Sequence, residues 1–333
     1  MAYQVLKRLS LIGVVLALCV VVLGAYVRLS DAGLGCPDWP GCYGTLTVPE
    51  SESAIHKAQI AFPDKPVETG KAWKEMAHRY LAGALGFVVL GIFALAWKEK
   101  KLVKVSPLLA TGLLGLIIFQ ALLGMWTVTL LLKPVIVSAH LIGGMTTLGI
   151  LTWVAHRHYG QFNTISTSPS LKLAIRLALF VLLGQIFLGG WTSTNYAALA
   201  CTDFPTCHGV WMPDMNFKDA FHLVRELGQS ADGGQLTLAS LTAIQWTHRI
   251  GALIVFLYVG FLGLNLIKIS EMRNLSLLLL ILLLSQVLIG IGNLVMHLPL
   301  LLAVAHNLGA ALLVITIVVI NSKMTQQTYR QSK

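Results

Sequence analysis

The chain has 333 residues, 56% of them hydrophobic and only 11% charged, with a net charge of +10 and a mean hydropathy of +0.75. A water-soluble domain carries about 25% charged residues, so a soluble globular enzyme is excluded. The positive excess reads as a topology signal, with nucleic-acid binding a poor second reading.

Eight apolar segments follow one another, at about 9–28, 76–97, 106–126, 134–155, 172–192, 243–266, 275–295 and 300–321. Each is long enough to cross about 30 Å of hydrocarbon as a helix. The first follows Lys7 and Arg8 and resembles a signal peptide, but no convincing small-x-small cleavage site comes after it and the repeat needs it as the partner of segment five, so it is read as retained. With the amino terminus taken as cytoplasmic, the inner segments hold 14 of the 24 Lys and Arg residues, including Lys98, Lys100, Lys101 and Lys104 in one short loop. The outer side receives 12 of the 14 acidic residues and both long loops, 29–75 and 193–242. This is the positive-inside pattern, and it places both termini inside.

Three landmarks recur in one order. Gly24 through Cys36-(x5)-Cys42-Tyr43-Gly44 matches Gly189 through Cys201-(x5)-Cys207-His208-Gly209. Glu75-Met76-Ala77-His78-Arg79 matches Gln245-Trp246-Thr247-His248-Arg249, and Gln120 to Gly124 through His140 matches Gln286 to Gly290 through His306. A repeated order at nearly one offset indicates an internal duplication. The expected fold is therefore an all-α membrane protein with eight transmembrane helices as two tandem four-helix bundles. Each repeat has an even number of helices, so a pseudo-twofold axis along the membrane normal relates them. The expected units are 1–159 and 172–322, a polar cytoplasmic linker at 160–171, and a cytoplasmic tail at 323–333.

His78, His140, His248 and His306 all fall near the outer ends of their segments, within roughly 10 Å of that surface at 1.5 Å per helical residue. Two histidines on different helices of a bundle can face each other across its core and hold an internal cofactor. Neutral imidazole is a good axial ligand for haem iron. Gly143, Gly251 and Gly309 lie three residues after His140, His248 and His306, while Ala82 and Gly83 follow His78 by about a turn. Such glycines leave a gap beside the ring that a flat macrocycle requires; close helix packing is the blander use of glycine in membranes. Arg79 and Arg249 either pair with a haem propionate or snorkel to lipid headgroups.

The halves differ at Glu75, whose counterpart is Gln245. A carboxylate can accept a proton or stabilise a developing cation, which an amide does poorly. Glu75 thus equips one half for chemistry, or else merely begins a helix, where acids are favoured. Of the five cysteines, Cys19 stands alone in segment one, and the pairs Cys36/Cys42 and Cys201/Cys207 lie in the outer loops beside Pro37, Pro40 and Pro205. They read as disulfide loop clips in an oxidising compartment, with tetrahedral zinc the weaker reading because the pairs sit in separate halves. His56, His156, His158, His208, His222 and His297 receive no role.

Glu75-Met-Ala-His78-Arg79, His140, Thr247-His248-Arg249, His306 and Gly35-Cys36-Pro37-Asp38-Trp39-Pro40-Gly41-Cys42 together resemble the haem A synthase family of bacteria and mitochondria. The resemblance implies oxidation of a methyl group of haem O to the formyl group of haem A, by successive hydroxylations and loss of water from a geminal diol. It implies that His78 and His140 hold the haem O substrate, with Glu75 catalytic beside the reacting methyl, and that His248 and His306 hold a haem B cofactor. It further implies Cys36–Cys42 and Cys201–Cys207 disulfides, the first linked to activity, and a place in the bacterial inner membrane. Partners implied are haem O synthase, a terminal oxidase under assembly and membrane lipid; homo-oligomerisation is left open.

Two other classes fit less of the chain. A b-type cytochrome that carries electrons would use the four histidines but not Glu75. A transporter would place broken helices or acids at the bilayer midplane, and the ionisable residues here cluster at the outer end.

Overall fold

The computed structural model describes residues 2–100, 105–159, 168–230 and 232–325. Most of the expected linker, at 160–167, most of the tail, at 326–333, and Lys101 and Lys104 lie outside the described residues. Ten α-helices occur among the described residues: α1 (Ala2–Leu29), α2 (Glu52–Ala61), α3 (Thr69–Lys98), α4 (Pro107–Thr129), α5 (Pro134–Tyr159), α6 (Pro169–Thr194), α7 (Phe217–Ala220), α8 (Leu238–Leu266), α9 (Arg273–Val295) and α10 (Leu300–Thr325). All but α2 and α7 belong to spans long and apolar enough to cross a membrane, and the chain is a multi-pass membrane protein. Phe87, Phe180, Phe261 and Leu301 point outward, fully in the open. In water they would form aggregation-prone patches; against lipid they need no cover.

The helix starts follow from local chemistry. Proline opens α4, α5 and α6, where its fixed φ suits the first turn and its missing N–H costs nothing. Ser51, Ser168 and Thr237 cap α2, α6 and α8 by accepting the amides of Ala54, Leu171 and Ser240. Three helices begin earlier than the apolar windows suggest: α1 at Ala2, α3 at Thr69 and α8 at Leu238. A hydropathy window marks only the lipid-facing stretch. The early turns of α3 and α8 are instead buried against protein, Ala72 and Met76 with Cys36, Cys42 and Tyr43 of the first loop, and Ala243 and Ile244 with Trp191 of α6 and Ala220 of α7. The long loop 29–75 also contains α2.

Helix α1 packs on α3 and α5, and α4 packs on the same two; α6 packs on α8 and α10, and α9 on the same two. Between the halves, α5 touches α6 and α10, and α1 touches α10. Small residues allow close approach there: Gly149 lies against Val314 and Val318, and Gly190 against Leu141 and Ser138. At the cysteine-loop end, Arg28 donates to the Ser193 carbonyl at 3.0 Å and stands over the Tyr196 ring. Lys133 pairs with Glu226 at 2.8 Å. Arg225 is buried and ties the second loop together, donating to Asn195 Oδ1 at 2.5 Å and to the Gln229 carbonyl at 3.0 Å.

Candidate functional site

Both cysteine pairs are closed as disulfides, Cys36–Cys42 and Cys201–Cys207, and each closes a loop organised by one aspartate. Asp38 accepts the amides of Tyr43 and Gly44 at 2.6 and 2.8 Å. Asp203 accepts those of His208 and Gly209 at 2.7 and 3.0 Å and the Thr206 hydroxyl. The Thr206 hydroxyl and then the Gly209 and His208 amides hold the Asp203 carboxyl below its ordinary value, down to about 2. Gly44 and Gly209 both adopt φ of +75°, the left-handed region where glycine is unstrained.

Each loop is pinned to the helix behind it by an arginine. Arg79 donates from Nη1 to the carbonyls of Asp38 at 2.9 Å and Gly41 at 2.5 Å. Arg249 donates to those of Thr206 at 2.8 Å and Cys201 at 3.2 Å. Sequence reasoning weighed propionate against lipid for these two cations and missed their grip on the loops. Hydrogen bonds to backbone carbonyls some forty residues away leave no side-chain signature.

Behind the arginines the halves part. Glu75 is 5% exposed; it pairs with Arg79 on one oxygen and accepts the Cys36 amide at 3.0 Å on the other. Gln245 is 7% exposed and its Oε1 has no hydrogen-bond partner. Glu75 therefore joins the first disulfide loop to the helix that carries His78. A buried carboxylate is tolerable only with such partners.

The two histidines of the first half come together as a pair. His78 and His140 stand with ring centres 6.5 Å apart and planes at 83°. Each of the four rings rests by its Cε1 edge on a glycine of the next helix. A Cβ added at Gly24 would lie 2.8 Å from His78, at Gly124 3.5 Å from His140, at Gly189 3.1 Å from His248 and at Gly290 3.1 Å from His306. Sequence reasoning used these glycines only as landmarks of the repeat. The glycines it singled out behave differently: the space beside Gly143, Gly251 and Gly309 is filled by Gln120, Gln185 and Gln286, so it is not an empty slot. The recurring Gln-x3-Gly at 120, 185 and 286 was the signal that could have found them. Gly83 does face open space.

The residues fit a haem. Nδ1 of His78, His140 and His306 is buried with no side-chain partner, which leaves Nε2 as the nitrogen an iron would take. An iron held from both sides by imidazoles at about 2 Å per bond needs ring centres roughly 6 Å apart, close to the observed separation. Among the described residues no cluster of three or more His, Cys, Asp or Glu gathers. Two imidazoles suit a metal that brings its own equatorial ligands. The other histidines stand apart from the pairs; His156 meets Ser322 at 2.9 Å and His208 meets Thr242 at 3.4 Å.

The cytochrome oxidase assembly protein family (COX15-CtaA) matches residues 7–318. The chain is 47% identical to a haem A synthase of Shewanella oneidensis over 312 residues, 93% of this chain and 94% of that protein. It is 30% identical to a haem A synthase of Shouchella clausii, covering 73% of this chain and 76% of that one. A haem A synthase of Chelativorans is 25% identical, covering 95% and 90%.

Proposed function

The chain belongs to the cytochrome oxidase assembly protein family, and on that premise we propose that it is an oxidoreductase, a haem A synthase, which oxidises a methyl group of haem O to the formyl group of haem A for terminal oxidase assembly. The observation that carries the reading is the facing pair His78 and His140, matched along the chain by His248 and His306, with a buried carboxylate, Glu75, near only the first pair.

In this reading the half made of residues 1–159 takes haem O as substrate between His78 and His140, and the half made of residues 172–322 keeps haem B between His248 and His306. Haem B supplies one-electron transfer when bound. The histidines would hold each macrocycle, and the apolar helices around them would keep bulk solvent away from it. Each of two hydroxylations would break a methyl C–H bond and form a C–O bond to an oxygen supplied by one water molecule, releasing two electrons to an external acceptor and two protons, and the resulting geminal diol would lose water to leave the formyl group. Glu75, one helical turn from His78, supplies the negative charge that favours a cationic carbon or takes the proton released there. Its links to Cys36 and Arg79 hold that carboxylate in place. Arg79 and Arg249 keep guanidinium donors beyond those given to the loop carbonyls, the capacity a propionate would use. The topology has both termini cytoplasmic and the cysteine loops outside, with the halves related by the pseudo-twofold axis. Haem O synthase is the natural upstream partner.

The test is pigment extraction and chromatography of the purified protein, wild type and Glu75→Gln, from cells supplied with haem O. Haem A or hydroxylated haem O is expected in the wild type, lost or stalled in the variant while haem B stays. Haem B alone, unchanged by the substitution, would overturn the synthase in favour of an electron-carrying cytochrome.

A further inference from the structure

The two halves differ at a second place, on the helix that faces the first histidine of each pair. Gln185 of α6 sits one turn before Gly189, and its counterpart one turn before Gly24 in α1 is Val20. The Gln185 amide lies 3.0 Å from His248 Nδ1 and donates to the His248 carbonyl at 3.0 Å. Its Oε1 is buried and unpaired. No side chain does this for His78, whose ring has only the Val20 backbone carbonyl beside it. At the second histidine of each pair a glutamine is kept in both halves. Gln286 donates to the His306 carbonyl at 2.8 Å, and Gln120 lies against Gly143, one turn along from His140. An amide thus stands beside three of the four histidines, that of Gln185 alone reaching a ring nitrogen, and the position without one is on the Glu75 side.

We propose that Gln185 is a positioning residue that locks the His248 imidazole for a resident haem, and that Val20 leaves His78 the replaceable ligand of a haem that must enter and leave. An amide suits this task because it can donate to a bare Nδ1 or, turned over, accept from Nδ1–H, the state that leaves Nε2 for iron. Such partners of metal-bound histidines fix ring orientation, and losing one costs about 10–100-fold in metal affinity. A cofactor that stays and a substrate that is exchanged call for opposite choices at this one position. The inference rests on the functional reading above and adds to it the basis on which the two haems are told apart.

The experiment uses the full-length protein purified from haem O-supplied cells, with excess apomyoglobin as haem acceptor and electron paramagnetic resonance on the same samples. Gln185→Val should hand over haem B at least about 10-fold faster than wild type and shift the low-spin signal of that haem; Gln185→Glu, which keeps an acceptor, should restore slow transfer. Val20→Gln should act in the opposite sense, with haem O or haem A retained on the purified protein and its transfer slowed. If Gln185→Val fails to fold, Val20→Gln decides alone. Transfer and resonance unchanged in Gln185→Val, or haem retention unchanged in Val20→Gln, overturns the proposal. A wild type that contains no haem A or hydroxylated haem O would instead overturn the functional reading beneath it.

Discussion

Asp38 and Asp203 fold their loops by accepting the same pair of amides, and Arg79 and Arg249 pin those loops by donating to equivalent carbonyls. Immediately before each arginine, each half places a histidine against a glycine of a neighbouring helix. Between these shared parts, one half has Glu75 and Val20 where the other has Gln245 and Gln185. The duplication has therefore preserved everything that builds a cradle and changed the groups that decide what happens in it. A scaffold can stay fixed while chemistry diverges, because the polar groups that carry charge and hold ligands are few.

The largest effect expected from breaking this symmetry is an all-or-none one. His306→Ala should strip haem B from the purified protein, whereas His78→Ala should keep haem B and abolish formation of haem A; pigment chromatography reads both. The glycine cradles should give a graded series. Alanine at Gly24 meets His78 at 2.8 Å, at Gly189 or Gly290 its histidine at 3.1 Å, and at Gly124 His140 at 3.5 Å. Bound haem should fall in that order, by about 10–100-fold at the tight positions and little at Gly124; equal losses at all four would show that the contact does not matter. Removing the arginines separates the halves again. Arg79→Ala leaves the buried Glu75 without its cation and should cost about 3 kcal/mol, while Arg249→Ala loses hydrogen bonds to carbonyls and a contact with the Phe204 ring but strands no buried charge, and should cost about 1 kcal/mol. Thermal unfolding in detergent compares them.

The smallest effect lies in the second loop. With Asp203 held down to about 2 against an ordinary 3.8, its contribution is fully present above that ordinary value and is lost as pH falls through about 2. Amide exchange at His208 and Gly209 should stay slow at pH 5 and quicken near pH 2; an Asp203→Asn variant should lack the acid step.

Much of this was legible in the sequence because the repeat names its own parts. The eight spans, the four histidines, the two cysteine pairs and the Glu75/Gln245 contrast all occur at matching positions along one chain. What was not legible depends on cross-helix register. That Gly24 faces His78, or that Gln286 lies against Gly309, follows from how two helices are rotated against each other, and spacing within one helix does not contain that. The same holds for the early starts of α3 and α8, where protein replaces lipid as the apolar surroundings.

The glycine opposite each imidazole also bounds what can be re-engineered. At Gly24, Gly189 and Gly290 only a residue without a side chain keeps a ring edge that close to a backbone, so those three cradles are damaged by substitution, whereas Gly124 has room for a methyl group. Freedom to redesign this protein, for a different macrocycle or a different residence time, is confined to the residues one turn away. There, exchanging an amide for an alkyl group changes the grip on the ligand without moving the helix that presents it.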